Sequence, residues 1–498
     1  MVEISSVSSP QDEKKMAVDV KGGKQSFELG HGQNAHLDPT GRPVVPAATS
    51  DPMDPMNFST LRKTAIIAIV CVFYFLATYL TTAPIPSFSL LEVQFDASYN
   101  QVNWSFAVSA FGLAFGPLLT ASLADTYGRR MIMIASTAVA LLATGCTTII
   151  GQSISGYMAA RFFQGFGAGP AANVGLCIIN DISFEHERGF RVGLWAAAAN
   201  IGTVLGGVTG GFLATVSQYW VQYHVTILFA ALLVAEVFLL PETLYPRAVV
   251  VAAERQEILN GSGASAVDDN IVGIKRTKQL GWANFRKVPG VEHYKPWDAM
   301  VIFCQMWAYP TIVISVLGYI LFQYWWVVTV LTMVPAAYSE YKIQIQGLFF
   351  VGPLIGRTPE MRLWLGYPAA VLSTIGLIVW GVSVDKNWHW ITGQVALFLF
   401  TVGLQVGNTT LTAYFVDNYP DHTLSTTTYY TVIINIAAFV CPWFIYDWAD
   451  AVGYAWCFGA QGIVCTVCLI PVYVLLQRCG ANWRKPMVFG EKTGEPVV

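Results

Sequence analysis

Long apolar segments alternate with short polar ones along most of this chain. The apolar runs are near twenty residues long, which is the length of a helix that crosses the roughly 30 Å hydrocarbon core of a bilayer. The predicted spans of the first half lie near residues 64–85, 102–123, 131–150, 154–179, 192–214 and 219–240. Those of the second half lie near residues 309–334, 365–384, 391–416, 427–448 and 454–477. The pattern predicts an all-α integral membrane protein.

A long polar segment divides the spans into two groups. Residues 242–297 hold eight Lys or Arg and six Asp or Glu. The predicted domains are a disordered tail, a first bundle, a linker, a second bundle and a last tail, at residues 1–61, 62–241, 242–297, 298–477 and 478–498.

Basic residues indicate how the first-half spans are oriented. They are concentrated in the polar segments on one side, at Arg62, Lys63, Arg129, Arg130, Arg188 and Arg191. The three opposite loops carry no Lys or Arg. Because Lys and Arg are enriched in cytoplasmic loops, we predict that the N-terminal tail and the linker are cytoplasmic.

A short sequence in the second span recurs in the second half. Residues 112–119 (GLAFGPLL) are similar to residues 347–355 (GLFFVGPLI), which predicts an internal repeat. The first copy continues into a charged turn, whereas the second ends at Gly356 and is followed directly by Arg357. The eighth span is therefore predicted to be truncated.

Three topologies are compatible with this truncation. Residues 345–356 rise only about 18 Å as a helix, which favours eleven crossings and an outward C-terminus. The distribution of basic residues favours twelve crossings and a cytoplasmic last tail. In the third topology residues 300–337 form a hairpin and residues 345–356 re-enter the membrane. We rank it last, because an interfacial helix leading to Pro310 explains the same sequence more simply.

Composition narrows the class of protein further. Hydrophobic residues form 54% of the chain, charged residues 12%, and the net charge is −3. This small charge does not indicate nucleic acid or an acidic partner. The nine cysteines have neither metal-ligand spacing nor the spacing of a disulfide framework, so we expect no metal or cofactor. The absence of a nucleotide-binding glycine-rich loop favours an ion gradient over ATP as the energy source.

The turn after the second span carries a family motif. Residues 121–130 (ASLADTYGRR) resemble the loop between spans two and three of the major facilitator superfamily. The resemblance implies a conformational latch made by Asp125, Gly128, Arg129 and Arg130.

A second motif concerns proton coupling. Residues 161–169 (RFFQGFGAG) resemble the fourth-span motif of the same family, which implies a role for Arg161 in proton coupling. An arginine buried in a span needs a carboxylate, a carbonyl or a water cavity as its partner. Glu236, near the cytoplasmic end of the sixth span, is a second candidate for carrying a proton.

Glycines of the fifth span resemble the antiporter signature of the family. They are Gly202, Gly206, Gly207, Gly210 and Gly211. Gly207 stands where the family has proline, and close helix packing explains the glycines about as well as a role in export does. Residues 241–247, 387–394 and 407–420 resemble further segments of the family, the last two those of fungal members.

The resemblance covers residues 60–485 apart from the segment missing after Gly356. It implies two pseudo-symmetric six-helix bundles with nominally twelve spans, the eighth truncated. It also implies a monomer that moves a small organic substrate and protons across a lipid bilayer. The expected location is the plasma membrane, with a vacuolar or other vesicle membrane as the alternative.

Polar and aromatic residues near mid-bilayer depth are candidates for the substrate cavity, because transporter sites lie near the midplane between repeats. They are Tyr79, Asn173, Gln323, Tyr324, Gln405, Asn408 and Asn435. Hydrogen bonding between helices explains any one of them as well. Asn103 begins a sequon that faces outward, so it is a candidate for glycosylation.

These features favour a drug:proton antiporter of the fungal type, which exports a small, fairly apolar molecule by alternating access. The substrate would be a secondary metabolite or a drug. A nutrient importer is the first alternative, because Gly207 replaces proline. A non-transporting remnant or membrane sensor is the second, because half of span eight is missing. An enzyme is least favoured, because no acid–base pair or metal cluster stands out.

Overall fold

The structure is a computed structural model that describes residues 54–247, 295–326, 359–419 and 422–484, together with residues 49, 51, 250, 330 and 333. Every regular element in these ranges is helical, as the sequence predicts. Residues 345–356, the gap after Gly356 and most of the predicted tails and linker lie outside the described residues. The three topologies for span eight therefore stay predictions.

The helices of the first half alternate with short turns. They are α1 (Thr60–Thr82), α2 (Phe88–Phe95), α3 (Tyr99–Tyr127), α4 (Arg129–Cys146), α5 (Ile154–Ala168), α6 (Pro170–Ile182), α7 (Glu185–Ala214) and α8 (Gln218–Leu239). Those of the second half are α9 (Asp298–Met306), α10 (Pro310–Tyr319), α11 (Pro359–Arg362), α12 (Gly366–Asp385), α13 (Trp390–Asn418), α14 (Thr423–Val440), α15 (Ile445–Val452) and α16 (Tyr454–Trp483).

Ten helical segments of the described residues are long and apolar enough to cross a membrane. Six lie in the first half and four in the second, at the predicted positions. Helices α1 and α2 together form the first, and α5 and α6 together form the fourth. The prediction of a multi-pass, all-helical membrane protein is confirmed.

The seventh predicted span begins with a sharp bend. Helix α9 and the helix that starts at Pro310 meet at an angle of 86°. The N–H groups in the first turn of a helix make no intrahelical hydrogen bond, so proline, which lacks an N–H, is tolerated there. Pro310 therefore starts a new helix. Helix α10 continues into a π-helical segment, Ile320–Tyr324.

Small residues bring the first-half helices into backbone contact. A Cβ atom on Gly112 of α3 would overlap the carbonyl oxygen of Phe162 on α5, and one on Gly165 would overlap that of Ser109. Helices α1 and α7 pack closely as well, and so do α4 and α8. In a bilayer, where lipid is as apolar as the side chains, such close approach is a main source of helix association.

Helices of the two halves meet mainly along α3, α6 and α14. Trp104 stacks on Trp443 with ring centroids 4.6 Å apart, and Phe111 contacts Phe439 at 4.8 Å. Farther along, the Asn173 side-chain amide donates to the Thr428 hydroxyl at 3.1 Å. This seam places residues of both halves around one central region.

Candidate functional site

The predicted latch centres on a turn that only glycine can make. Gly128 separates α3 from α4 with φ 97° and ψ 152°, a conformation that is essentially restricted to glycine. A Cβ atom there would also overlap the Glu242 carboxylate. The position therefore requires glycine for two independent reasons.

Glu242 closes the turn by capping helix α4. Its carboxylate accepts hydrogen bonds from the backbone N–H groups of Arg129 at 2.9 Å and Arg130 at 3.2 Å. It also accepts from the N–H groups of Thr243 and Leu244. A carboxylate at a helix N-terminus satisfies free N–H groups and complements the helix dipole.

Arg129 of the latch has carboxylate partners on two different helices. Asp125, one of the predicted latch residues, lies 3.9 Å from Arg129, at the limit of an ion pair. The close partner of Arg129 is Asp181 at the end of α6. Arg129 also donates to the Cys177 carbonyl at 3.0 Å. The latch thus connects the ends of α3, α4 and α6.

A buried aspartate before α1 extends this network. Asp54 is 0% exposed and pairs with Arg247 at 2.9 Å. It also accepts from the N–H groups of Thr49 and Met56. Burial alone would raise the pKa of Asp54, but the Arg247 guanidinium and the hydrogen bonds together hold the pKa of this carboxyl below its usual value.

We expect Asp54→Asn to lower the free energy of unfolding by about 1–3 kcal/mol, because Arg247 loses its charged partner. Since the folded-state pKa of Asp54 is depressed, its contribution is present above the unfolded-state pKa of about 3.9 and is lost as the pH falls through the folded-state value. Thermal unfolding in detergent between about pH 7 and pH 3 checks this. An acid-induced decrease in Tm of equal size in wild type and variant would contradict it.

Arg161 is buried without a carboxylate partner among the described residues. Its guanidinium is 1% exposed and donates to the Leu80 carbonyl at 2.9 Å and to the Gln164 side chain at 2.6 Å. Gln164 in turn donates to Thr144 at 2.9 Å and, more weakly, to Gln222 at 3.5 Å. Carbonyl and amide oxygens thus replace the counterion of this charge.

A small cavity adjoins this polar chain. Its volume is about 10 Å³, which is near the size that holds a single water molecule. Tyr157, Gln218 and Gln222 are among the residues that line it. The hydrogen bond from Gln164 to Gln222 therefore connects Arg161 to a site where water fits.

Glu236 lies in a different place from Arg161. It is 0% exposed, and one of its oxygens accepts from the Thr137 hydroxyl at 3.0 Å, between α8 and α4. Its other oxygen has no hydrogen-bond partner among the described residues. The two candidates for proton coupling are thus not in contact, but Glu236 is close to the latch, because Arg130 donates to the carbonyl of its neighbour Val237 at 2.8 Å.

The glycines of the fifth span form a packing face. Added Cβ atoms on Gly202, Gly206 and Gly210 would overlap the backbone of α1 at Phe75, Tyr79 and Ala83. Gly211 is buried and Gly207 half-buried, and α7 is one continuous helix through both. Three of the five glycines therefore have a direct packing role.

We expect Gly206→Ala to lower the free energy of unfolding by about 1–3 kcal/mol, because the new methyl group forces α7 away from α1. Gly459→Ala is the matched control, since a Cβ atom there meets no atom within 4 Å. Alanine also has the higher helix propensity, by about 1 kcal/mol. Thermal unfolding of both purified variants checks this, and equal Tm values would contradict it.

The predicted cavity residues do not form one group. Gln323 donates to Ser373 and to the Gly403 carbonyl inside the second half, and Asn435 donates to a carbonyl of its own helix. Gln405 donates weakly to Thr409 on its own helix. Tyr79 contacts Thr209 and His224 inside the first half.

One predicted residue bridges the two halves, and two others lie beside α14 within the second half. Asn173 bridges the halves through Thr428. Asn408 accepts a hydrogen bond from Tyr430 at 2.6 Å, and Tyr319 places its ring near those of Tyr324 and Tyr430. Sequence reasoning missed Tyr319 and Tyr430, whose only signal was an aromatic residue with a polar tip within an apolar span.

Asn103 is an unfavourable position for a glycan in this structure. Its side chain is 0% exposed, and its amide lies 3.5 Å from the Pro442 carbonyl oxygen. The sequon falls on the first turns of α3, where that helix packs against the second half, so a sugar cannot be added without separating them.

Comparison with known proteins agrees with this architecture. The profile of the Major Facilitator Superfamily matches residues 70–442. A probable efflux pump of Aspergillus flavus, mfs2, is 24% identical over 80% of this chain and 98% of its own length. A probable drug/proton antiporter of Saccharomyces cerevisiae, YHK8, is 25% identical over 87% of each chain.

Solved structures show the same fold. The proton:xylose symporter XylE superposes with a TM-score of 0.59 at 13% identity, over 84% of this chain and 96% of that one. The human organic anion transporter MFSD10 superposes with a TM-score of 0.52 at 13% identity, over 82% and 99%. With the profile match over most of the sequence, these similarities establish that the chain belongs to the Major Facilitator Superfamily and is a multi-pass membrane transporter.

Proposed function

We propose that this transporter exports a small, fairly apolar organic molecule in exchange for protons, by alternating access, without catalysing covalent chemistry. The observation that carries the proposal is Glu236, a buried carboxyl group inside a span that accepts one hydrogen bond from the described residues. Relatives named as an efflux pump and as a drug/proton antiporter support the same direction of transport.

The environment of Glu236 favours its neutral, protonated form. An ionised carboxylate away from water needs a cation or several donors, and within the described residues Glu236 has only Thr137. A rearrangement that lets water or a cation reach the second oxygen would release the proton. Arg130 of the latch donates a hydrogen bond to the carbonyl of Val237, the residue after Glu236. Opening of the latch would therefore trigger release of the proton from Glu236.

Arg161 supplies the second part of the proposed coupling. Its fixed charge is held by Leu80 and Gln164, and Gln164 connects it through Gln222 to a site for one water molecule. A fixed positive charge there disfavours a second cation, including a proton, in the same region. We place the protein in the plasma membrane and propose that a single chain is the transporting unit.

The direction of transport is tested in everted membrane vesicles with an acidic interior. The assay follows a panel of fluorescent neutral, cationic and anionic compounds, and vesicles without the protein are the control. Accumulation that a protonophore abolishes supports export. Proton-driven movement of the compounds only out of such vesicles would favour the nutrient importer and contradict export.

We expect Glu236→Gln to abolish proton-driven accumulation, because glutamine keeps the hydrogen bond from Thr137 but carries no exchangeable proton. Exchange of labelled for unlabelled substrate without a pH gradient should remain. Glu360→Gln is the control, since Glu360 lies in the second half, where it pairs with Arg484. Wild-type accumulation by Glu236→Gln would remove Glu236 from the mechanism.

A further inference from the structure

A histidine of α8 belongs to a chain of hydrogen bonds that joins three spans of the first half. His224 lies about 9 Å along α8 from its start at Gln218, which is the outer end in the predicted orientation. Its Nε2 atom lies 2.7 Å from the Tyr79 hydroxyl of α1, and its Nδ1 atom lies 2.9 Å from the Trp220 carbonyl oxygen. The Tyr79 hydroxyl also contacts the Thr209 hydroxyl of α7. We call this arrangement the His224 chain.

Packing holds the histidine ring in place as well. Its centroid lies 5.5 Å from that of Tyr79 with an interplanar angle of 76°, which is an edge-to-face contact. The Tyr79 ring stacks in turn on Phe75 with centroids 5.4 Å apart. Tyr79 is buried, whereas His224 is half-buried. The imidazole is therefore the member of the chain that is accessible from outside the bundle.

The contacts of the His224 chain can be compared with the hydrogens available to fill them. Four contacts of 2.9 Å or less join, in order, the Trp220 carbonyl, the two ring nitrogens of His224, the Tyr79 hydroxyl, the Thr209 hydroxyl and the Leu205 carbonyl. Each contact needs one hydrogen. The two hydroxyls supply one each and a neutral imidazole supplies one, so a neutral chain lacks one hydrogen. An imidazolium supplies two, so the protonated chain fills all four contacts.

Protonation reverses the direction of the hydrogen bonds without breaking the chain. When the ring is neutral and Nδ1 carries its hydrogen toward Trp220, Nε2 accepts from the Tyr79 hydroxyl. When the ring is charged, Nε2 donates to Tyr79, and the Tyr79 hydroxyl then donates to Thr209. The ring keeps a partner on α1 in both states, so it can bind and release a proton without moving.

The His224 chain crosses the glycine face between α1 and α7, which the proposed function does not use. Thr209 lies directly before Gly210 and three residues after Gly206. Added Cβ atoms on these glycines would overlap the backbone of α1 at Tyr79 and Ala83. The two helices are thus in backbone contact at the level of the chain. The direction of the bond between Tyr79 and Thr209 therefore acts on a tightly packed interface.

No carboxylate holds the imidazole in its charged form within the described residues. Helices α1, α4 and α7 pack against α8, and their charged residues all lie in their first two turns, at the cytoplasmic ends. The other titratable residues toward the outer ends are Tyr219, Tyr223, Cys146, Glu92 and Asp96. The hydrogen-bond partners of His224 are Tyr79 and Trp220 instead. Arg161 of α5 reaches the α1 backbone at Leu80, and its positive charge opposes a permanent charge nearby. A proton on His224 is therefore exchangeable.

We infer that His224 is a second proton-binding site, which takes up protons from the outer solution and passes the change to the α1–α7 interface through Tyr79 and Thr209. Glu236 lies about 18 Å farther along the same helix, near the cytoplasmic end. The two sites therefore serve opposite sides of the membrane. This inference rests on the proposed function and adds the group that binds protons on the outer side.

The test observes the protonation of His224 directly. The full-length protein, labelled with nitrogen-15 in histidine, is reconstituted in lipid vesicles, and solid-state NMR distinguishes a neutral imidazole from an imidazolium by the shifts of the ring nitrogens. His224→Gln identifies the signal among the seven histidines by its disappearance. We expect a neutral ring at about pH 8 and an imidazolium at about pH 5. A ring that stays neutral, or stays charged, over this range would overturn the inference.

A phenylalanine variant tests the role of the chain. Tyr79→Phe keeps the ring but removes the acceptor of the Nε2–H group, and a hydrogen bond to a charged group is the stronger one. Proton binding by His224 should weaken about 3- to 10-fold, which moves the titration midpoint down by about 0.5–1 pH unit. Tyr367→Phe is the control, because its hydroxyl donates to Gln477 in the second half. An unchanged midpoint in Tyr79→Phe would also overturn the inference.

Transport connects the site to the exchange of protons. In everted vesicles the outer ends of the spans face the lumen, so luminal and external pH are raised together at a constant pH difference. The wild-type rate of accumulation should fall at least about 3-fold as the luminal pH passes the midpoint of His224, and His224→Gln should lose this fall. The same fall in His224→Gln would contradict a role of this histidine in coupling.

These results separate the inference from the proposed function. The NMR titration uses neither a substrate nor a proton gradient, so a protein in which His224 titrates but no compound moves keeps the site and loses proton-driven export. A protein that exports compounds in exchange for protons while His224 stays neutral keeps the proposed function and loses the site.

Discussion

Replacing Arg161 with glutamine is expected to reduce proton-driven transport at least about 100-fold. The guanidinium donates charged hydrogen bonds to Leu80 and Gln164, each worth about 1.5–3 kcal/mol, and glutamine cannot reach both acceptors. Loss of about 2.7 kcal/mol in a required state corresponds to a factor of 100. Initial rates of accumulation in everted vesicles, normalised to the amount of protein, give the result.

Two companion measurements separate a defect in coupling from misfolding. Arg161→Lys keeps the charge and one donor, so it should recover part of the transport that glutamine loses. Gel filtration of both variants should give the wild-type monodisperse peak. Transport within twofold of wild type by folded Arg161→Gln would show that the buried charge has no role.

Replacing Glu242 with alanine is expected to produce the second large effect, a loss of transport of more than about 10-fold together with lower stability. Four backbone N–H groups lose their acceptor, two of them at the N-terminus of α4. An unsatisfied buried donor costs about 1–3 kcal/mol. Thermal unfolding and vesicle transport are measured on the same preparation.

The chain contains a matched control for this variant. Asp385 caps α16 as Glu242 caps α4, accepting from the N–H groups of Tyr454 at 3.0 Å and Ala455 at 2.7 Å. Gly453 precedes α16 with a φ of 82°, just as Gly128 precedes α4 with a φ of 97°. Asp385→Ala should therefore lower Tm similarly but reduce transport less. Equal loss of transport in both variants would mean that Glu242 acts only through stability.

The spans could be predicted because lipid imposes a simple requirement on sequence. A segment that crosses a bilayer must be long, apolar and helical, and each of these properties is visible locally. The turn at Gly128 was visible for a related reason, since a tight turn beside Arg129 and Arg130 needs a residue without a side chain. The break before Pro310 was equally local.

The partners in the latch could not be predicted in the same way. Asp181 and Glu242 reach Arg129 from about 50 and 110 positions away, and the sequence marks them only as charges at span ends. Asp125 is the carboxylate nearest to Arg129 in sequence, and it lies 3.9 Å from Arg129 in the structure. The packing of α6 and α8 determines which carboxylates contact Arg129. This packing depends on the whole bundle and not on the local sequence.

The centre of the molecule was harder still. Polar residues at mid-bilayer depth look alike in sequence, whether they bind a ligand or another helix. Gln323 and Asn435 prove to be bonded within the second half, whereas Asn173 donates to Thr428 of the other half. The packing of α6, α12, α13 and α14 separates the two cases.

The central claim is that substrate and protons move in opposite directions through the same protein. The most direct measurement uses proteoliposomes with an acidic lumen that contains a pH-sensitive dye, to which a transported compound is added from outside. The lumen is expected to become more alkaline as the compound enters, and Glu236→Gln is expected to remove this change. Entry of the compound into wild-type vesicles with no change in luminal pH would contradict it.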